Sequence, residues 1–190
     1  MRTDLIVTYI EELSRVLGGV RPLAQGAVLH QHYALKEYTS MVGIIRASME
    51  LSSLKMKVGY VTSDGDEATP AWVVNPTTFP IIGSPAFNAL EIVMYIRKSF
   101  LAAAPYATVV FAIAHELSHV RLGAIQHPLA RNEVATDLAA MILGYSEYYV
   151  EGHSWSCADY NHSCGYLSID EALFAAELIK REYIRQYFGI

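Results

Sequence analysis

The most informative stretch of the chain is Ala114–Val120, which reads Ala-His-Glu-Leu-Ser-His-Val and follows an apolar run. Residues four positions apart on a helix lie on one face about one turn apart, so His115 and His119 can direct their imidazoles at one point. This is the spacing at which two histidines bind a single zinc ion. Glu116 lies beside the first histidine and can reach a metal-bound water as a general base. The stretch therefore predicts a metal-binding helix, and the alternative is a buried helix that carries two surface-facing histidines.

A second motif follows in Asn132–Ala140, a helical stretch that is expected to end at Gly144. Glu133 and Asp137 are four residues apart and share a face of this helix. Two histidines and one carboxylate complete a catalytic zinc site that keeps its fourth position for water, so Glu133 is the predicted third ligand. Asp137 is then predicted to accept the other ring N–H of a ligand histidine and fix its tautomer. The competing interpretation is a helix with two solvated acids.

His127 is the other candidate for the third ligand. A metzincin site would need glycine three residues and histidine six residues after the second motif histidine. Leu122 and Ile125 occupy those positions, and His127 precedes Pro128, where a turn is expected. The sequence therefore favours Glu133 over His127.

Composition limits the class of protein. The chain has 190 residues, which predicts one domain spanning 1–190 with a substantial core. Hydrophobic residues make up 53% and charged residues 17%, which argues against disorder. The net charge of −5 and the absence of Lys/Arg-rich runs predict no nucleic-acid partner. The uncharged window Phe100–Ala114 is shorter than the ~20 residues of a membrane span, so no span is expected.

The N-terminal residues predict an amphipathic helix over 3–17, closed by Gly18 and Gly19, and do not resemble a signal peptide. A cytoplasmic location with reduced thiols is therefore expected for the two cysteines.

Residues 20–32 are expected to be irregular. The other predicted elements are a long helix over about 33–56, strands over 57–62, 71–74 and 91–97, a metal helix with Pro105 near its start, and a final helix from the Ser168-x-x-Glu171 capping box to about Tyr187.

The strand Glu91–Arg97 precedes the metal helix by about twenty residues. It is either an edge strand beside the metal, where its free backbone groups can hold an extended peptide, or an ordinary interior strand.

The segment 152–167 contains His153, Cys157, His162 and Cys164. These residues allow a second, structural zinc site, a Cys157–Cys164 disulfide, or two semi-buried thiols in a loop. The spacing matches no common zinc module, and the third interpretation is favoured.

The order His115-Glu116-x-x-His119 followed by Glu133-x-x-x-Asp137 resembles the gluzincin metallopeptidases. Residues 88–143 look like the HtpX-type and minimal "minigluzincin" members, and the metal helix also looks like that of the Lit-type peptidases of mobile elements. The membrane helices of the HtpX-type proteins are missing, so the resemblance implies a soluble minimal catalytic domain.

The resemblance implies an α+β, zincin-like domain with a small, mostly antiparallel sheet, the metal helix and C-terminal helices. It implies a Zn²⁺ cofactor held by His115, His119 and Glu133, and hydrolysis of a peptide or protein substrate with Glu116 as general base. The developing oxyanion also needs a donor. His153 and Tyr149 are the leading candidates for this donor, and Tyr148, His162 and Tyr166 are further ones. The alternative function is that of a zincin-fold binding or regulatory protein with latent or lost proteolytic activity.

Overall fold

The computed structural model describes residues 1–23, 25–62, 69–153 and 165–189. Helices and one three-stranded sheet make up this part of the chain, which is a mixed α+β arrangement. The elements are α1 (Thr3–Val16), α2 (Gly26–Ala34), α3 (Tyr38–Ser48), β1 (Lys55–Val61), β2 (Ala71–Val73), α4 (Pro85–Ala89), β3 (Glu91–Arg97), α5 (Lys98–Ala103), α6 (Tyr106–Ala124), α7 (Glu133–Ala140), a π-helical segment (Met141–Tyr145), α8 (Ser146–Gly152) and α9 (Ile169–Phe188).

Several elements confirm the sequence predictions. The first helix covers the predicted range, α6 begins directly after Pro105, and the three strands lie where they were expected. The final helix begins with the predicted capping box, in which the Ser168 side chain accepts from the Glu171 backbone and the Glu171 side chain accepts from the Ser168 backbone. At Gly144, where the second motif helix was expected to end, the backbone has φ 101° and a new helical segment, α8, follows.

The predictions for residues 20–56 are wrong in two places. Part of the range expected to be irregular forms α2, and the expected long helix over 33–56 is confined to α3. Lys36 and Glu50 adopt positive φ values of 58° and 60° and mark the two breaks. The Glu50 carboxylate is held by Arg21 and Arg121, each at 2.8 Å. The apolar pattern continues past the second break because Leu51 and Leu54 are buried without being helical.

The sheet differs from the prediction in pairing and in order. Its strand order is β1-β3-β2, with seven parallel pairs between β1 and β3 and three antiparallel pairs between β2 and β3. The expectation of a mostly antiparallel sheet is therefore wrong, and the sheet is mixed. The proposed edge position of Glu91–Arg97 is also wrong, because β3 is the central strand. The strand at the edge beside α6 is the short β2.

The core is organised around α6. Fifteen of its 19 residues are buried, and it packs against α2, α3, α7, α8 and β2. A helix buried on almost every side has no polar face, which explains the uninterrupted apolar run before the motif. Within the described residues, no helix combines the length and the apolar character that crossing a membrane requires.

Candidate metal centre

Two packed helices bring the motif residues together. His115 and His119 project from α6, and Glu133 is the first residue of α7, whose N-terminus is capped by the Asn132 side chain. The Glu133 Oε2 atom lies 3.1 Å from His115 Nε2 and 3.2 Å from His119 Nε2. One ligand atom from each residue lies within 4.8 Å of the others, so this group could hold a metal ion.

The ring orientations fit a cation at the point where these atoms converge. His115 Nδ1 lies 2.7 Å from Asp137 Oδ1, and His119 Nδ1 lies 2.9 Å from the Ala130 carbonyl oxygen. Both partners are acceptors, so each Nδ1 donates a hydrogen, and each Nε2 is left facing Glu133, where it donates to the carboxylate when protonated and would offer its lone pair to a metal ion when deprotonated. Ligand atoms about 2.0–2.1 Å from a tetrahedral zinc ion are about 3.3 Å apart. The two separations from Glu133 are close to that spacing.

Asp137 lies on α7, is fully buried, and contacts the side of the His115 ring that faces away from Glu133. Its Oδ1 accepts the His115 Nδ1–H, and its Oδ2 accepts the Tyr166 backbone N–H at 2.6 Å and the Tyr149 hydroxyl at 3.2 Å. The structure thus brings Asp137 to His115, a predicted ligand that it was expected to orient. A carboxylate with three donors is held rigidly, which fixes the plane of the His115 ring.

Protonation of the site follows from the same contacts. Burial opposes a charged His115, but its hydrogen bonds with Asp137 and Glu133 outweigh this effect and raise its pKa to about 10. The hydrogen bond from His115 lowers the pKa of Glu133 against the opposing effect of burial. The carboxylate environment therefore stabilises positive charge on the His115 ring.

Glu116 lies beside the ligand group and is not part of it. Its Oε2 accepts the backbone N–H of Val73 at 3.1 Å, which ties it to the edge strand β2. Burial raises its pKa, although His115 and His119 oppose the shift. A carboxylate with a raised pKa is a stronger base than an ordinary glutamate.

A cleft of about 930 Å³ opens over this centre. Its floor is the α6 face that carries His115, Glu116 and His119, and its walls come from residues 75–79, residues 126–131 and Tyr166. Thr69, Gly123 and Glu133 complete its lining. The predicted ligands and the predicted base therefore face one solvent-accessible space.

The leading candidates for the oxyanion donor lie outside the lining of this cleft. The Tyr149 side chain is fully buried, and its hydroxyl contacts Asp137 and the Leu167 backbone. His153 Nε2 donates to the Leu167 carbonyl oxygen at 2.9 Å. Tyr148 contacts the Tyr106 hydroxyl. His162, Cys157 and Cys164 lie outside the described residues, as do the predicted disulfide and the predicted second zinc site.

Tyr166 does line the cleft. Its ring is stacked on that of His115, with centroids 5.8 Å apart and planes 24° apart, and its side chain is 57% exposed. Asp137 holds its backbone N–H, and Arg2 Nη2 donates to its carbonyl oxygen at 3.0 Å. Sequence spacing could not select Tyr166, because both contacts join residues far apart in the chain.

His127 does not join the ligand group. Its Nε2 lies 3.1 Å from Glu12 Oε1, and its Nδ1 accepts the Leu129 backbone N–H at 3.2 Å. Both ring nitrogens are therefore engaged at the wall of the cleft. Two contacts of His119 were not anticipated from the sequence, the Ala130 carbonyl oxygen and the Thr136 hydroxyl at 3.2 Å.

The chain matches no protein-family model, no curated protein and no solved structure. The resemblance to gluzincins therefore rests on the motif residues themselves. Function must be inferred from the chemistry of the site.

Proposed function

We propose that the chain is a zinc-dependent metallopeptidase of gluzincin type, with a zincin-like fold, that hydrolyses peptide bonds. The observation that carries this proposal is the convergence of His115, His119 and Glu133 beside Glu116 in one cleft. Three ligands alone would also suit the alternative function, a binding protein that keeps the metal site. A carboxylate with a raised pKa beside them, facing the same cleft, is what hydrolysis needs in addition.

The ligand set favours zinc among the common divalent ions. Two imidazole nitrogens and one carboxylate oxygen are the protein ligands of many catalytic zinc sites, which leave a fourth position open. Calcium and magnesium prefer six or more oxygen ligands. When bound, zinc would supply Lewis-acid polarisation of a carbonyl group and lower the pKa of a coordinated water.

Glu116 is the proposed general base. The Val73 N–H engages Oε2, so Oε1 is the oxygen available to take a proton from the attacking water. Glu116 then returns this proton to the nitrogen of the leaving amine, which breaks the peptide bond and regenerates the carboxylate. The raised pKa suits both directions of transfer.

Tyr166 is the proposed donor to the developing oxyanion, in preference to His153 and Tyr149. Among the candidates in the described part of the chain, it is the one that lines the cleft, and the bonds to its backbone N–H and carbonyl hold it in place. A tyrosine hydroxyl keeps its proton at neutral pH and can donate it in a hydrogen bond, and partial burial raises the pKa of Tyr166 further. In this proposal Tyr149 is a positioning residue, because its hydroxyl contacts Asp137 and the Leu167 backbone and not the cleft.

The edge of the sheet offers a surface for an extended substrate. Val74 N–H and the Pro70 carbonyl bond to β3, so the alternate backbone groups of Ala71 and Val73 point away from β3. The Val73 N–H is directed to Glu116, which places this edge next to the proposed base. A peptide added along such an edge can use main-chain hydrogen bonds for affinity.

Metal removal and reconstitution tests the proposal. Protein purified in zinc and dialysed is expected to carry about one zinc per chain and to cleave members of a mixed peptide library. Chelation should abolish cleavage, and added zinc should restore it. Zinc bound at this stoichiometry without cleavage of any library peptide would favour the alternative, a binding protein that keeps the metal site.

A further inference from the structure

The two walls of the cleft are joined near the C-terminal end of α6. The wall formed by residues 75–79 contacts α6 at Phe79, which packs so closely on Gly123 that a Cβ atom there would lie 2.4 Å from the phenylalanine ring. The Ile82 N–H bonds the Ala124 carbonyl at 2.8 Å and anchors this wall. Arg131 Nη2 donates to the Thr77 carbonyl oxygen at 3.3 Å and bridges to the opposite wall.

Arg131 brings a positive charge to this junction of the walls without a carboxylate partner among the described residues. Its side chain is exposed and lines the cleft. The bond to Thr77 uses one of the five N–H donors of a guanidinium. Of the described residues that line the cleft, Glu133 and Glu116 carry carboxylates, and these are engaged elsewhere, Glu133 by the histidines and Glu116 by Val73.

The charge is also close to the metal ligands along the chain. Ala130 accepts from His119 and Glu133 faces both histidines, so Arg131 lies between two residues of the centre. Two residues span at most about 7 Å between Cα atoms. A peptide that reaches the centre is therefore long enough to place a carboxylate at Arg131, which lines the same cleft.

We propose that Arg131 is a specificity-determining residue that binds a carboxylate of the substrate, either an acidic side chain or the C-terminal carboxylate. This inference rests on the proposed peptidase function and names the substrate class. A guanidinium binds a carboxylate through two parallel N–H···O bonds, which lysine cannot reproduce. The competing role is a strut that only joins the two walls through Thr77.

The test compares matched peptides that differ in a single charge. One arm exchanges Glu for Gln at each position of a cleaved peptide, and the other exchanges a C-terminal acid for an amide. In one of these two comparisons, the wild type should cleave the peptide that has the carboxylate with a kcat/KM about 10- to 100-fold higher than the peptide that lacks it. Arg131→Gln should bring this ratio close to one, and Arg131→Lys should restore part of it. Arg181→Gln, which removes an exposed arginine of α9, is the control and should leave the ratio unchanged.

Binding provides a second readout that does not need turnover. In zinc-loaded Glu116→Gln protein, the same peptide pairs should show the same preference in Kd, and the added change Arg131→Gln should remove it. Binding preference without hydrolysis by the wild type would uphold the role of Arg131 and reject the peptidase. Hydrolysis without any carboxylate preference, or with a preference that survives in Arg131→Gln, overturns the role of Arg131 and keeps the peptidase. Failure of both hydrolysis and binding rejects both.

Discussion

Asp137→Asn is the change that most sharply probes how the buried part of the centre works. Asp137 is fully buried and accepts hydrogen bonds from three donors, the His115 ring, the Tyr166 backbone and the Tyr149 hydroxyl. Asparagine keeps the shape, but its NH₂ group must face one of these donors. The variant therefore loses at least one hydrogen bond to a charged acceptor, worth about 1.5–3 kcal/mol.

If most of this loss falls on the orientation of His115, zinc affinity should drop by about 10- to 100-fold, which corresponds to about 1.4–2.7 kcal/mol. The assay is competition for zinc against a chelator of known affinity, with thermal unfolding of the metal-free protein measured in parallel. Asp4→Asn, which alters an exposed acid in the first turn of α1, is the matched control. Zinc affinity within twofold of wild type in Asp137→Asn would show that the buried carboxylate does not support the ligand.

Three further predictions follow from individual contacts. His119→Ala and Glu133→Ala should each lose zinc on dialysis, because each removes a proposed ligand, whereas His127→Ala should keep its zinc. If metal analysis showed zinc retained in Glu133→Ala and lost in His127→Ala, the proposed ligand set would be rejected. Gly123→Ala should lose about 1–3 kcal/mol of unfolding free energy, because its Cβ would overlap the Phe79 ring. In α3, a Cβ at Gly43 would meet open space, so Gly43→Ala should gain about 0.5–1 kcal/mol of unfolding free energy. Hydrogen bonds from Arg2 lower the pKa of Glu171, so the stabilising effect of its carboxylate is present above the ordinary carboxyl pKa and declines as the pH falls toward the lowered value. Glu171→Gln should therefore have a lower Tm than wild type at pH 7, and its Tm should fall less than that of wild type between pH 7 and pH 3. An equal fall in Tm for both proteins would contradict this.

The sequence predicts the arrangement of the candidate site where the residues involved are close together in the chain. His115 and His119 are one helical turn apart, and Glu133 and Asp137 repeat this spacing, so helix geometry alone puts each pair on one face. The capping box at Ser168 and the start of α6 after Pro105 are local in the same sense. Such features need no knowledge of the remaining chain.

The rest depends on contacts between distant residues. Tyr166 reaches the centre through Asp137 and Arg2, which are 29 and 164 residues away in the chain. The Val73 N–H meets Glu116 only because β2 pairs antiparallel at the edge of the sheet. The break at Glu50 interrupts an apolar pattern that continues through Leu51, so periodicity alone extended the helix too far.

The proposal of zinc-dependent hydrolysis is tested most directly by Glu116→Gln. This residue is beside the ligand group without belonging to it, and glutamine keeps its size while removing the base. The measurement is kcat/KM for a cleaved peptide, with the zinc content of each protein determined on the same preparation and Glu147→Gln as an exposed control on α8. We expect Glu116→Gln to retain zinc and lose hydrolysis by about 10²- to 10⁴-fold. A kcat/KM equal to that of wild type in the zinc-loaded Glu116→Gln variant would contradict the proposal that Glu116 is the base of a peptidase.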